Sequence, residues 1–424
     1  MTTEELPALL RRLVLPVYLP TALYATGAAA IVPVLPLIGL YLGLNVPQVA
    51  LLITVAGLLT VIAPLPIGQL VARIGERAAL IVGGLISIGA IVGSLIAAWP
   101  DGSSATASWA PVLFCASILV MTLGDITWDL GRQTYIADEV PLHLRARAMS
   151  LFGGTLRVGR ILGPLIGAVL ITLAGPAAAF LVHLVAAIAG LMLITIFVPP
   201  RLAVPASSPG EEPADPPARG EVLRPLLLVG AAVLVLTLVR TNRDLLLPLL
   251  GNEFGHPEAV VSLVFAVAAV VELAFIVPAG TLMDRYGRAA VLVPCLALMG
   301  VGYLLGGLAA TVAGLVAISL VFAVGNGLAA GINKTLSADL TPTRNRAGWL
   351  GLWNSFTGAG ALIGPAIVAL AGATTVVTAS LATGWISLAG AGWAAWWLPR
   401  FLPGRGSRPL PTDKVDTNPG RLKW

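Results

Sequence analysis

Gly68-Gln-Leu-Val-Ala72-Arg73-Ile-Gly75-Glu-Arg77 and Gly280-Thr-Leu-Met-Asp284-Arg285-Tyr-Gly287-Arg288 are two versions of one short basic segment, 212 residues apart. Each lies between two long apolar runs. The 424-residue chain around them is 57% hydrophobic and 11% charged, with mean hydropathy +0.93. A soluble domain is wetted by roughly 25% charged residues, so lipid has to be the solvent of this one. Twelve runs approach the ~20 apolar residues that span a bilayer as a helix: 14–38, 48–71, 78–99, 111–137, 148–172, 176–198, 225–250, 259–283, 289–309, 312–337, 347–371 and 374–398. Helices are the spanning element because hydrocarbon offers backbone groups no water. The alternating segments of about ten residues that mark a transmembrane barrel are missing. The first run follows a polar, partly acidic stretch and precedes no small-residue cleavage site, so it reads as a retained helix rather than a signal peptide.

The basic residues sort by side. Loops near 40–47, 100–110, 173–176, 251–258, 309–312 and 371–375 hold no Lys or Arg, whereas the alternate segments hold Arg11, Arg12, Arg73, Arg77, Arg145, Arg147, Arg201, Arg285, Arg288, Arg344 and Arg346. By the positive-inside rule, both termini and the central loop are cytoplasmic. The net charge of +5 is thereby accounted for without nucleic acid. The excess of Arg over Lys points to a bacterial source, and hence to the inner membrane. Cys115 and Cys295 fall inside apolar runs and read as small core residues rather than a disulfide or metal pair.

Residues 199–224, rich in Pro with Glu211, Glu212 and Asp215, bury little and predict a disordered cytoplasmic linker. The chain divides into a six-helix bundle over 1–198, this linker, a second bundle over 225–400 and a tail over 401–424. The halves repeat beyond the basic segments. Ala137-Asp138-Glu-Val-Pro141 through Arg145 matches Ala338-Asp339-Leu-Thr-Pro342 through Arg346, 201 residues on, and the same offset carries Gly159, Gly163 and Pro164 onto Gly360, Gly364 and Pro365. A longer outer loop near 100–110 accounts for the change of offset. Six-span halves repeated in parallel mark a carrier whose lobes rock about a central site.

On these motifs the chain resembles the major facilitator superfamily over nearly its whole length, and its proton-coupled drug-exporter branch in particular. The resemblance implies an all-α integral membrane protein of twelve transmembrane helices in two pseudo-symmetric six-helix bundles. It also implies that Gly68, Arg73, Gly75 and Arg77, with Gly280, Asp284, Arg285, Gly287 and Arg288, form cytoplasmic gate turns. Ala72 departs from the acidic position that Asp284 fills, which leaves the first latch to Arg73, Glu76 and Arg77. Gly159, Gly163, Pro164 and Gly167 resemble the fifth-span motif of proton-driven exporters. Small residues every fourth position allow close helix approach and Pro164 allows a bend, as suits a helix between the halves; Gly360, Gly364 and Pro365 repeat the pattern in the eleventh run. The fourth-span family motif is poorly matched at Arg132-Gln133-Thr134.

Ionisable residues inside a bilayer are expensive and mark function. Asp125 and Asp129 share a face of the fourth run, and Arg157 and Arg160 lie at similar depth on the fifth. A buried cluster of two acids and two bases is the expectation, with Arg132 as a further buried partner. Glu272, with no charged neighbour in its own run, is a proton-coupling candidate alongside Asp125 and Asp129, to be paired with Arg157 or Arg160 across the halves. In the seventh run Arg240 and Asp244 form an i,i+4 pair beside Arg243. Asn326 and Asn333 are seven apart and expected on one face of the tenth run. Family architecture makes these, with Tyr24, Trp128 and Trp353, substrate-cavity candidates. His183 is expected at the periphery, and Trp393, Trp396 and Trp397 in an interfacial belt.

Gly327 to Thr335 only faintly matches a phosphate loop and lies inside the membrane. The sequence has no HExxH, Cys/His cluster or nucleophile elbow, so neither a catalytic nor a metal site is expected and the reading is a carrier, not an enzyme. The expected function is alternating-access transport: export of a small amphipathic or lipophilic compound, driven by the proton gradient and needing no cofactor. The partners are the lipid bilayer and a small-molecule substrate, and the working unit is a monomer. Import, lipid flipping and flux-free sensing stay open on the same scaffold.

Overall fold

The computed structural model describes residues 13–99, 108–140, 142–199, 219–340, 346–372 and 374–402. They form helices joined by short turns. Span one runs from a π-helical turn, Val14–Tyr18, through Leu19–Ile31 to Leu35–Tyr41; span two is Val46–Ile62 followed by Pro64–Ile74. Spans three to seven are Glu76–Ala98, Ala110–Glu139, Leu142–Ala174, Ala178–Phe197 and Arg219–Glu253. Span seven therefore takes in the last six residues of the stretch expected as linker. Span eight is Glu258–Ala274 plus Ile276–Tyr286, span nine Ala289–Leu304, span ten Val312–Leu328 plus Ile332–Leu340, and spans eleven and twelve Arg346–Ala371 and Val376–Phe401. Among the described residues eight helices are long and apolar enough to cross a membrane unaided, and a ninth is the bent pair of span two. The others are short or broken: 17 residues make about 25 Å of helix, so spans eight and ten complete the crossing with their second segments.

The repeat in sequence is a repeat in packing. Span one lies against five and six as seven lies against eleven and twelve, and three lies against four as nine lies against ten. Between the halves, two meets eleven and five meets eight. Each half has its own apolar core. Leu65, Leu173 and Leu370 stand 73%, 75% and 82% exposed around the outside, where only lipid makes apolar exposure favourable.

The small-residue motifs pack helices closely, and they do so within each half. A Cβ on Gly159 would sit 2.5 Å from Ala25 of span one, and one on Gly163 would sit 2.7 Å from Ala29. Gly360 and Gly364 crowd Thr237, Leu238 and Asn242 of span seven in the same way. These glycines bring helices together inside each half; the faces of spans five and eleven that meet the other half are different ones.

The basic segments owe their shape to helix-end chemistry. Spans two and eight break at matching residues, Ala63 and Phe275, with Pro66 and Pro278 three residues beyond. The second segment of span two departs by 48°. Both second segments end at a glycine in the left-handed region, Gly75 at φ +83° and Gly287 at φ +88°, which a side chain disfavours. Arg73 and Arg285 occupy the last turns, where a cation meets the negative end of the helix dipole. Arg77 donates to the Thr195 carbonyl at 3.0 Å, and Arg288 grips Asp339 at 2.8 Å, each within its own half. The Asp284 side chain lies outside the described residues.

At the ends away from the basic segments the halves close on one another. Leu35–Tyr41 of span one packs against span seven, Val49 and Ala50 of span two belong to the second half's core, and Ala259 of span eight packs on the first half's core. At the basic ends, a Cβ at Gly68 or Gly280 would meet nothing within 4 Å.

Candidate functional site

A cavity of about 740 Å³ lies between the halves, walled by spans one, four and five on one side and seven, eight and ten on the other. It is bounded by the seal at the ends away from the basic segments. Asp125, Asp129, Arg132, Arg157, Arg160, Arg240, Arg243, Asp244, Glu272, Asn326 and Tyr24 all reach it. These eleven sequence candidates, scattered over six helices, are brought to one space.

In the first half, Arg132 is 2% exposed. It has Asp129 at 3.5 Å, and its guanidinium stands 5.4, 5.3 and 5.6 Å from the ring centres of Tyr24, Trp128 and Phe152. The ring quadrupoles offset part of the desolvation cost of the charge. Asp129 also accepts from Gln133 at 2.6 Å, and Asp125 accepts from Ser87 at 3.1 Å. The expected four-charge cluster does not form. Arg157 and Arg160 are exposed and have no ion pair among the described residues. A one-turn partner is always within reach of Asp129, whereas span five turns its arginines into the cavity.

In the second half, Glu272 is not alone. It takes Arg243 at 3.1 Å and the Asn326 amide, while Arg243 also holds Asp244 at 3.1 Å. Three helices are tied by this network. Arg160 is close enough to act electrostatically on Glu272 and Arg240 without reaching ion-pair distance. Asp244 therefore pairs with its sequence neighbour rather than with Arg240. Arg240 turns to span ten, whose helix stops at Leu328 and resumes at Ile332 around Gly331 at φ +83°. The carbonyls of Asn326 and Ala329, freed by that break, accept from Arg240 at 3.2 and 3.0 Å. A cation there also meets the negative end of the half-helix dipole.

The same break separates Asn326 from Asn333, which accepts from the Trp353 indole at 2.7 Å. Trp353 is 1% exposed and belongs to the second core, and Trp128, fully buried, stacks edge-on to Tyr24 at 4.3 Å; neither lines the cavity. His183 is fully buried beside Tyr24 rather than peripheral. Near the end of span twelve, Arg400 lies 3.9 Å from the Trp396 ring. Sequence reasoning missed Gln133, although its i,i+4 spacing from Asp129 was available, and Ser87 and Phe152, which carried no signal in isolation.

The family model described as Major Facilitator Superfamily matches residues 17–241 and 229–419. The chain belongs to this superfamily. Its fold is that of solved transporters at low sequence identity. A POT family transporter in complex with 5-aminolevulinic acid is 13% identical, covering 92% of this chain and 96% of its own, at TM-score 0.69. A bacterial homologue of the iron transporter ferroportin, in an inward-facing state, is 17% identical, covering 93% and 100%, at TM-score 0.68. A bacterial homologue of the lysosomal transporter Spinster, also inward-facing, is 14% identical, covering 95% and 98%, at TM-score 0.66. No curated protein matches the chain in sequence.

Proposed function

We propose that this superfamily member is a secondary active transporter working by alternating access, which exports a small amphipathic or lipophilic compound in exchange for protons. Its setting is the bacterial cytoplasmic membrane, with the basic segments, both termini and the 199–224 linker on the cytoplasmic side and a monomer as the working unit. The observation that carries this reading is the cavity itself, walled by both halves, sealed at the ends away from the basic segments and bearing four carboxylates, two on each wall. With the basic side cytoplasmic, the cavity takes its cargo from inside the cell.

Glu272 is the coupling group that the geometry favours. As a carboxylate it holds Arg243 and Asn326 at once. A proton on it removes the charge facing Arg243, which keeps Asp244, and loosens span eight from spans seven and ten. The free energy of a protonation is thereby exchanged for the movement of helices that wall the site. Purified protein in liposomes loaded with a pH-sensitive dye tests this, with 1-naphthoate and ethidium as anionic and cationic amphipathic probes. A transported probe moves protons in the wild type. Glu272→Gln keeps exchange of labelled probe across the membrane and loses the proton movement. Proton-coupled flux at the wild-type rate in Glu272→Gln, or flux no faster than in protein-free vesicles, overturns the reading.

A further inference from the structure

We infer that the transported compound is an amphipathic organic anion whose acidic group, a carboxylate or a phosphate, is held by Arg157 and Arg160. This rests on the cavity being the transport site and assigns the charge of what it carries.

The charges on the cavity walls do not balance. Five arginines and four carboxylates reach the cavity: Arg132, Arg157, Arg160, Arg240 and Arg243 against Asp125, Asp129, Asp244 and Glu272. Asp129 is taken by Arg132, and Asp244 and Glu272 by Arg243. Arg240 is committed to two backbone carbonyls and Asp125 to the Ser87 hydroxyl. Arg157 and Arg160 remain, exposed to the cavity and in no ion pair among the described residues. Three residues apart on one helix, they present two guanidinium forks to the same space, a geometry that fits planar carboxylate or tetrahedral phosphate oxygens.

Hydrogen-bonding capacity points the same way. Arg132 keeps Nε and Nη1, and Arg240 keeps Nε, buried without a partner. Asn326 Oδ1 and the Tyr24 hydroxyl are the wall oxygens left without a partner among the described residues, so the walls hold more spare donors than acceptors even before the exposed Arg157 and Arg160 are counted. Among the described residues of the wall a cation would find only Asp125 free of an ion pair, and it would share its space with two unneutralised guanidiniums, so the same residues that attract an anion reject it. Towards the sealed end the lining turns apolar, with Ala28, Ala29, Val32, Phe265 and Ala269. That end suits a hydrocarbon or aromatic body, and the volume lies within the roughly 300–1,000 Å³ of drug-sized sites.

Binding to the purified full-length protein tests the assignment by calorimetry with four probes sharing one ring system: 1-naphthoate, 1-naphthyl phosphate, 1-naphthylmethylammonium and 1-naphthalenemethanol. One or both anions should bind, and the cation and the alcohol should bind at least about tenfold more weakly, the scale of one charge-assisted contact. The two anionic arms separate carboxylate from phosphate recognition. Arg157→Gln and Arg160→Gln should each weaken anion binding about tenfold, with Arg157→Lys recovering part of the loss. Both side chains are exposed, so an unchanged unfolding temperature accompanies the loss. Equal or tighter binding of the cation or the alcohol, no binding of either anion, or anion binding indifferent to both Gln variants overturns the inference. The transport reading fails separately. Anion binding without flux removes the carrier and leaves the charge assignment, whereas flux of ethidium but not 1-naphthoate removes the assignment and leaves the carrier.

Discussion

Replacing Arg240 with methionine is the most direct test of how the second half is held together. Methionine keeps much of the side chain's apolar length and removes its donors, so the Asn326 and Ala329 carbonyls at the span-ten break lose their acceptances at 3.2 and 3.0 Å. A hydrogen bond to a charged group contributes about 1.5–3 kcal/mol. Both bonds here come from one nitrogen, and cavity water can solvate part of what is freed, so the net loss is about 2–3 kcal/mol rather than the sum. If the second bundle melts as a unit, that lowers its midpoint by roughly 4–12 °C. Cys295 is fully buried in this bundle and reports its opening through a thiol-reactive dye in a Cys115→Ala background. Arg240→Lys keeps a charge and a donor for one carbonyl and should recover about half the loss. A midpoint for Arg240→Met within about 1 °C of its parent would refute the claim that this arginine holds the broken helix.

Two further substitutions separate packing within a half from contact between halves. Gly163→Ala drives a Cβ against Ala29 and the Ala30 backbone at 2.7 and 2.8 Å, so spans one and five must part at a cost of about 1–3 kcal/mol; an unchanged thermal midpoint contradicts the close approach. Gly68→Ala meets nothing within 4 Å, so its midpoint stays level or rises slightly while probe exchange slows, because the turn comes into contact only when the cavity closes on that side. Exchange at the wild-type rate argues against such a contact. Arg288→Gln removes the grip on Asp339, whose side chain is 27% exposed against 28% for Arg288. Screening by water limits that loss to at most about 1 kcal/mol, and a larger drop in the midpoint shows the pair to be less wet than it looks.

The features legible in sequence were those written as local patterns. Long apolar runs, a Pro-rich interruption and two offset copies of a basic turn lead to a twelve-span repeated membrane fold, because lipid and backbone hydrogen bonding leave few alternatives. Gly75 and Gly287, which end the helices of both basic segments, were visible too. Helical rise put Asp125, Asp129, Arg157 and Arg160 at similar depth, and all four reach one cavity.

Partner choice was not legible, because it depends on which helix faces which and on where a helix breaks. Glu272 looked solitary along its own run and is bound from two other helices. Arg157 and Arg160 matched Asp125 and Asp129 in depth and line the same cavity, yet form no ion pair with them. The interruption at Gly331 is absent from the corresponding span of the first half, and it alone creates the bare carbonyls that claim Arg240 and part Asn333 from Asn326. Periodicity along one chain sets which residues lie within the membrane; the rotation of each helix about its axis, settled by packing against its neighbours, sets which charges meet.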